Sequence, residues 1–147
     1  MKKISWFAWV FSILIAFHAT NVFSCEIEGC TPGYWKNHLY AWIVYSPDQS
    51  VDSVFEVPGD FQELADDTLL EALNYGGGDG LVGAAQIMLR QAIATLLNAV
   101  HADVRTPYSE EFVIYHVSRG LNSYDRERMI WIAAKAETLN EMGCPLD

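Results

Sequence analysis

From residue 34 onward, apolar side chains recur at every third or fourth position over most of the chain, the spacing of a helix with one buried face. Residues 34–45 carry the stripe Trp35, Leu39, Trp42 with His38 on the same side. They follow a Thr31-Pro32-Gly33 turn whose proline suits a helix start. Residues 46–60 hold Pro47, Pro58 and Gly59 among scattered acids and read as a loop, with one short extended piece around Val54 and Phe55. A second helix is expected over 61–74, with Leu64, Leu69, Leu70 and Leu73 inward. The run Tyr75-Gly76-Gly77-Gly78-Asp79-Gly80 stops it, because glycine in that density makes continued helix entropically costly.

The most apolar helix is expected over 81–101. Gln86, Arg90, Gln91, Thr95, Asn98 and His101 take about half of its circumference, and Met88, Leu89, Ile93, Leu96, Leu97 and Val100 the other half. A helix so broadly apolar belongs at the centre, with neighbours on more than one side. Ser109 then offers a hydroxyl cap with Glu110 and Glu111 in the first turn of a helix that runs through Phe112, Val113, Val117 and Leu121. After the turn Asn122-Ser123-Tyr124, a last helix over 125–142 places Met129, Ile132, Ala133, Ala136 and Leu139 inward; Gly143 and Pro145 end it. The expected fold class is all-α, a compact bundle of four to five helices.

The first two dozen residues have a different pattern. Lys2 and Lys3 precede an uncharged apolar run from Ile4 to Phe17, and Val22 and Ser24 supply small residues for a cut before Cys25. This is the layout of a signal peptide over 1–24, leaving one helical domain over 25–147. The run is too short to cross a bilayer comfortably. Val22-Phe23-Ser24-Cys25 also approaches a bacterial lipobox, although Phe23 fits it poorly. Two readings of Cys25 stay open: a lipidated N-terminus, or ordinary cleavage that leaves a free or intermolecularly paired thiol. The expected location is therefore exported (secreted, periplasmic or cell surface), with any membrane contact made through a lipid on Cys25.

Without residues 1–24 the chain has 7 basic against 19 acidic residues, a net charge of −12 where the whole chain has −10. That field repels phosphate backbones and argues against nucleic acid as a partner. Candidate chemistry is sparse. Gly78-Asp79-Gly80-Leu81-Val82-Gly83 satisfies GxGxxG, but a helix precedes it where a dinucleotide site needs a strand, so it reads as a hinge and no cofactor is expected. His38, His101 and His116 show no HExxH spacing and the cysteines no CxxC pair. Asp48, Asp52, Asp60, Asp66 and Asp67 offer oxygens but lack EF-hand spacing, and a solvated acidic loop is the expectation, with no metal site. Ser109, Ser118, His116 and Asp103 exist without a GxSxG elbow, so no catalytic residue is named. The aromatic residues of the first helix divide in two. Trp35 and Trp42 fall at core spacing, while Tyr34, Lys36, Tyr40 and Tyr45 form the candidate binding surface.

The segment from Cys30 to Trp42, CTPGYWKNHLYAW, resembles the opening of an uncharacterised group of exported bacterial proteins that begin Cys-Thr-Pro-Gly-Tyr/Phe-Trp-Lys. Gly83 to Val104, after a glycine-rich stretch, and the tail from Leu139 to Leu146 are similar to theirs in the same order. The resemblance implies an exported, cysteine-bracketed domain in surface-associated settings and brings no activity with it. Joined, Cys30 and Cys144 would tie the two ends of the domain, and a loop of that length removes roughly 4–5 kcal/mol of unfolded-state freedom. An oxidising compartment permits the bond; unpaired buried thiols are the alternative. The functional expectation is a non-enzymatic binding or structural component at or near the bacterial surface, with an unidentified protein or glycan as partner. The alternatives are a small extracellular hydrolase or metal-dependent enzyme, and a carbohydrate-binding module using the first helix's aromatic residues.

Overall fold

The computed structural model describes residues 26–147; the expected signal peptide over 1–24 and the Cys25 readings lie outside them. The described chain is helical, with α1 (Pro32–Asn37), α2 (Gln62–Ala65), α3 (Leu69–Ala72), α4 (Leu81–Val100), α5 (Glu110–Leu121) and α6 (Arg126–Asn140). Three 3₁₀ turns, Leu39–Ala41, Val51–Ser53 and Gly59–Phe61, join the early elements. Among the described residues β pairing is limited to two isolated bridges, Gly29 with Gly143 and Ser50 with Thr68.

α4 is central, as its composition suggested. α6 and α5 pack along it, and α1 and α3 lie against it from other sides. Its core residues Ala84, Ala85, Met88, Leu89, Ile93, Leu96 and Leu97 are buried almost completely. Gly83 lets the preceding glycine loop lie directly on the helix, since a methyl there would overlap the backbone of Gly78. α5 starts as expected, with Ser109 accepting from the Phe112 N–H and two acids in the first turn. α6 buries Met129, Ala133 and Ala136, whereas Ile132 and Leu139 are half-buried at its flanks.

The polar face expected on α4 is not a solvent face. Gln91, Thr95 and Asn98 are buried and meet the buried Asn140 of α6. Asn98 Nδ2 donates to Asn140 Oδ1, and Asn140 Nδ2 donates to the backbone oxygen and Oε1 of Gln91, all at 3.0 Å. Thr95 Oγ1 lies 3.0 Å from both the Gln91 carbonyl and Asn140 Oδ1. Among the described residues every buried side-chain nitrogen and oxygen has a partner. A buried polar network is tolerated on that condition alone.

Between residues 38 and 80 the expected helices are shorter than the stripes implied. The helix expected over 34–45 ends at Asn37, because His38 leaves helical geometry at φ −125°, ψ 58°. Trp42 Nε1 then donates to the Trp35 carbonyl at 3.0 Å, taking an acceptor that a longer helix would have used. Leu39, expected in the core, is consequently exposed. The helix expected over 61–74 is two single turns split at Asp66-Asp67-Thr68, where Thr68 and Glu71 form a capping box that starts α3. The extended piece expected at Val54 and Phe55 is absent. Pairing occurs instead where Val51 N–H donates to Asp67 and Leu69 N–H to the Gln49 carbonyl. Where four to five helices were expected, the described residues form three long ones and three of one or two turns.

Candidate functional site

Cys30 and Cys144 form a disulfide with Cα atoms 4.4 Å apart across a sequence separation of 114. The backbone beside it is held in two further ways. Gly29 N–H donates to the Gly143 carbonyl, and Gly29 sits so close to Leu139 that a methyl would overlap its carbonyl. Asn98 Oδ1 accepts from Cys30 N–H at 2.9 Å, and Asn98 Nδ2 donates to the Cys30 carbonyl at 3.0 Å. Asn98 Oδ1 also accepts from Trp35 Nε1 at 3.1 Å. With its bond to Asn140, both donor hydrogens and both lone pairs of this amide are used. The buried amide matches the two backbone groups of Cys30 as a neighbouring strand would. The platform from which α1 departs is therefore rigid.

α1 carries the expected aromatic residues, but they separate. Thr31 caps the helix by accepting from Tyr34 N–H. Trp35 is fully buried, and Tyr34 packs edge-on against it at 5.3 Å. Tyr34 O–H donates to the Leu146 carbonyl, which brings the C-terminal tail over it. Tyr34 is buried and is removed from the candidate surface. Its ring stacks on His38 at 4.2 Å, and His38 in turn meets Tyr40 edge-on at 5.7 Å. His38 Nδ1 lies 2.8 Å from the Tyr34 carbonyl; a carbonyl only accepts, so this nitrogen carries the proton. Tyr40 ends the ladder at 82% exposure. Lys36 is exposed on α1.

Tyr45 is half-buried and its hydroxyl donates to Glu110 of α5. Burial first, then that hydrogen bond and the charges of Glu110 and Glu111, push its phenol well above the usual tyrosine range. Trp42 is half-buried with its N–H occupied. Of the residues expected to present a surface, Lys36 and Tyr40 do so fully. Three that were not expected, Leu39, Ile43 and Val44, join Tyr40 as exposed apolar side chains within six residues. Their sequence signal was the run Leu39-Tyr40-Ala41-Trp42-Ile43-Val44-Tyr45, which contains no polar residue to mark an outer face.

Among the other candidates, His101, His116 and Ser118 are each engaged with near neighbours. His101 lies beside Trp35 with ring centroids 6.0 Å apart, and its Nδ1 accepts from Asp103 N–H. His116 sits on α5 between Phe112 and Tyr115, at 4.2 and 5.2 Å. Ser118 is buried and accepts from Glu56 N–H. Among the described residues no three His, Cys, Asp or Glu side chains converge to hold a metal ion. Asp48, Asp52, Asp60 and Asp66 are exposed, while Asp67 accepts from Tyr75 O–H at 2.7 Å. The GxGxxG segment is a loop folded onto the start of α4, tied by Arg126 Nε donating to the Asp79 carbonyl. No helix among the described residues is long and apolar enough to cross a membrane.

No family model matches this chain, and neither the curated proteins nor the solved structures contain a significant match.

Proposed function

We propose that the chain is an exported, acidic helical domain that acts as a binding component at or near a bacterial surface. Its contact point is the apolar tip around Tyr40. The observation that carries this reading is the cluster of Leu39, Tyr40, Ile43 and Val44, exposed at the end of an element held by the disulfide. Exposed apolar clusters of this kind mark interaction sites, and a rigid base reduces the ordering cost of using one. Three of the four residues are aliphatic, which suits a protein partner. A sugar ring stacks on flat aromatic faces, and Tyr34 is buried while Trp42 and Tyr45 are half-buried against the core, so the carbohydrate reading has less support. The disulfide supports an oxidising compartment, in keeping with the basic start and apolar run of residues 1–24. Cysteine 25 as a lipid attachment point belongs to the same proposal.

The test places a photo-crosslinking amino acid at Tyr40 in the native host. One specific protein adduct in the envelope fraction is expected, lost when Ile43 and Val44 are both changed to Ser. Intact mass of the same material should correspond to cleavage before Cys25, with a lipid on Cys25 and with Cys30 and Cys144 oxidised. A cytoplasmic, reduced protein, or adducts unchanged by the double substitution, would end the proposal.

A further inference from the structure

A second feature shares no residue with the apolar tip. α5 and α6 lie side by side on α4 with a slot of about 360 Å³ left between them. One wall is an aromatic ladder that begins just before α5 and continues along it. Tyr108 stacks on Phe112 at 4.4 Å and 14°, and Phe112 meets His116 at 4.2 Å. The spacing i, i+4 puts Phe112 and His116 on one side of the helix, and Tyr108, just before the Ser109 cap, extends the ladder by stacking on Phe112. The opposite wall is Trp131 and Ile132 of α6, and the small side chains Ala92, Thr95 and Ala136 leave the floor deep. Two of the rings are open to solvent, with Trp131 61% and Phe112 41% exposed.

The charge at this slot runs against the charge of the protein. Lys135 lines it, with Nζ 5.8 Å from the centre of the Trp131 ring, and no carboxylate contributes to the lining. In a chain with 19 acidic and 9 basic residues, an apolar slot whose one charged lining group is an ammonium is locally suited to an anion. The volume lies in the range of small-molecule pockets, and walls of rings with one placed cation are their usual composition. A helical segment of another protein would need a longer trough than these eleven residues provide.

We propose that the slot between α5 and α6 binds a small amphipathic carboxylate, with an apolar acyl or aromatic body between the Phe112 and Trp131 walls and its carboxylate at Lys135. Lys135 supplies a charge-assisted hydrogen bond and His116 a ring N–H beside it. The inference is independent of the role given to Tyr40.

Titration calorimetry of the oxidised protein with dodecanoate, below its micelle concentration, should show saturable 1:1 binding. Dodecyltrimethylammonium, with the same chain and opposite charge, should bind at least roughly tenfold more weakly. Lys135→Glu, an exposed position, should reverse that preference with an unchanged melting temperature. Phe112→Ala should weaken both probes alike, because it removes wall and not charge. Amide shifts on dodecanoate addition should concentrate in 108–117 and 131–136. Absence of 1:1 binding, equal affinity for the two probes, or a preference untouched by Lys135→Glu overturns the proposal. Should Lys135→Glu prove unfolded, Lys135→Gln decides by the same ratio.

Discussion

The chain from residue 81 onward and the chain between residues 38 and 80 reach order by different routes. The later part has helices of 20, 12 and 15 residues, each long enough to own a face and bury it on a neighbour. In the earlier part no helix exceeds four residues. Order there comes from single apolar anchors, Val51, Phe55, Phe61, Leu64 and Leu69, all nearly inaccessible, and from side-chain caps such as Thr68 with Glu71. A periodic stripe specifies packing once a helix spans several turns. Over one turn, caps and anchors decide, because nucleating a helix costs more than one hydrogen bond returns.

The comparison can be broken by experiment. Replacing Cys30 and Cys144 with Ser should have the largest effect, about 4–5 kcal/mol in urea unfolding, because the bond closes most of the described chain. A loss under about 1 kcal/mol would mean that the long helices hold the ends without it. Asn98→Ala comes next. It strips the Cys30 backbone, Trp35 Nε1 and Asn140 of buried partners and should cost about 3 kcal/mol by the same measurement. Thr68→Ala removes one cap in the segment of turns and should cost about 1 kcal/mol. If it cost as much as Asn98→Ala, the distinction between the two regions would be lost.

The smallest effect at neutral pH is a titration. Tyr75 donates to Asp67 across the segment of turns, and burial, that bond and nearby carboxylates raise its phenol far above the ordinary value of 10.0. The neutral phenol is thus favoured by the fold. Its contribution is complete below the unfolded pKa and fades as pH climbs past it toward the folded value. Urea midpoints should be level up to about pH 9 and fall by about pH 11, more steeply in the native protein than in Tyr75→Phe. Equal slopes would assign the alkaline loss to Tyr45 or elsewhere.

The same contrast explains what the amino-acid order disclosed. The three long helices, the Ser109 cap and the central place of α4 were readable because apolar spacing and the Ser109-Glu110-Glu111 start state them directly, whereas Asp125, expected as the first residue of the last helix, is instead its cap. Two things were not readable. Gln91, Thr95 and Asn98 fall at i, i+4 and i+7, a stripe that looks the same on a wheel whether water or Asn140 faces it. Whether a polar stripe is solvated depends on its partner 42 or more positions away, which local pattern does not contain. The stripe Trp35, His38, Leu39, Trp42 was likewise compatible with a continuous helix. The outcome was decided by the Trp42 indole reaching the Trp35 carbonyl. The slot between α5 and α6 left a fainter trace, in the four-residue spacing of Phe112 and His116 on one helix, with Tyr108 just before it, and of Trp131 and Lys135 on the other.

The grip of Asn98 on Cys30 also couples the disulfide to the packing of the bundle. Asn98 belongs to α4 and leans on Asn140 of α6, so its two contacts to Cys30 are complete only after those helices have docked. In the finished fold Cys30 is thus presented to Cys144 by α4 and α6 together, and a change that loosened that pair of helices would loosen the setting of the sulfur bridge with it.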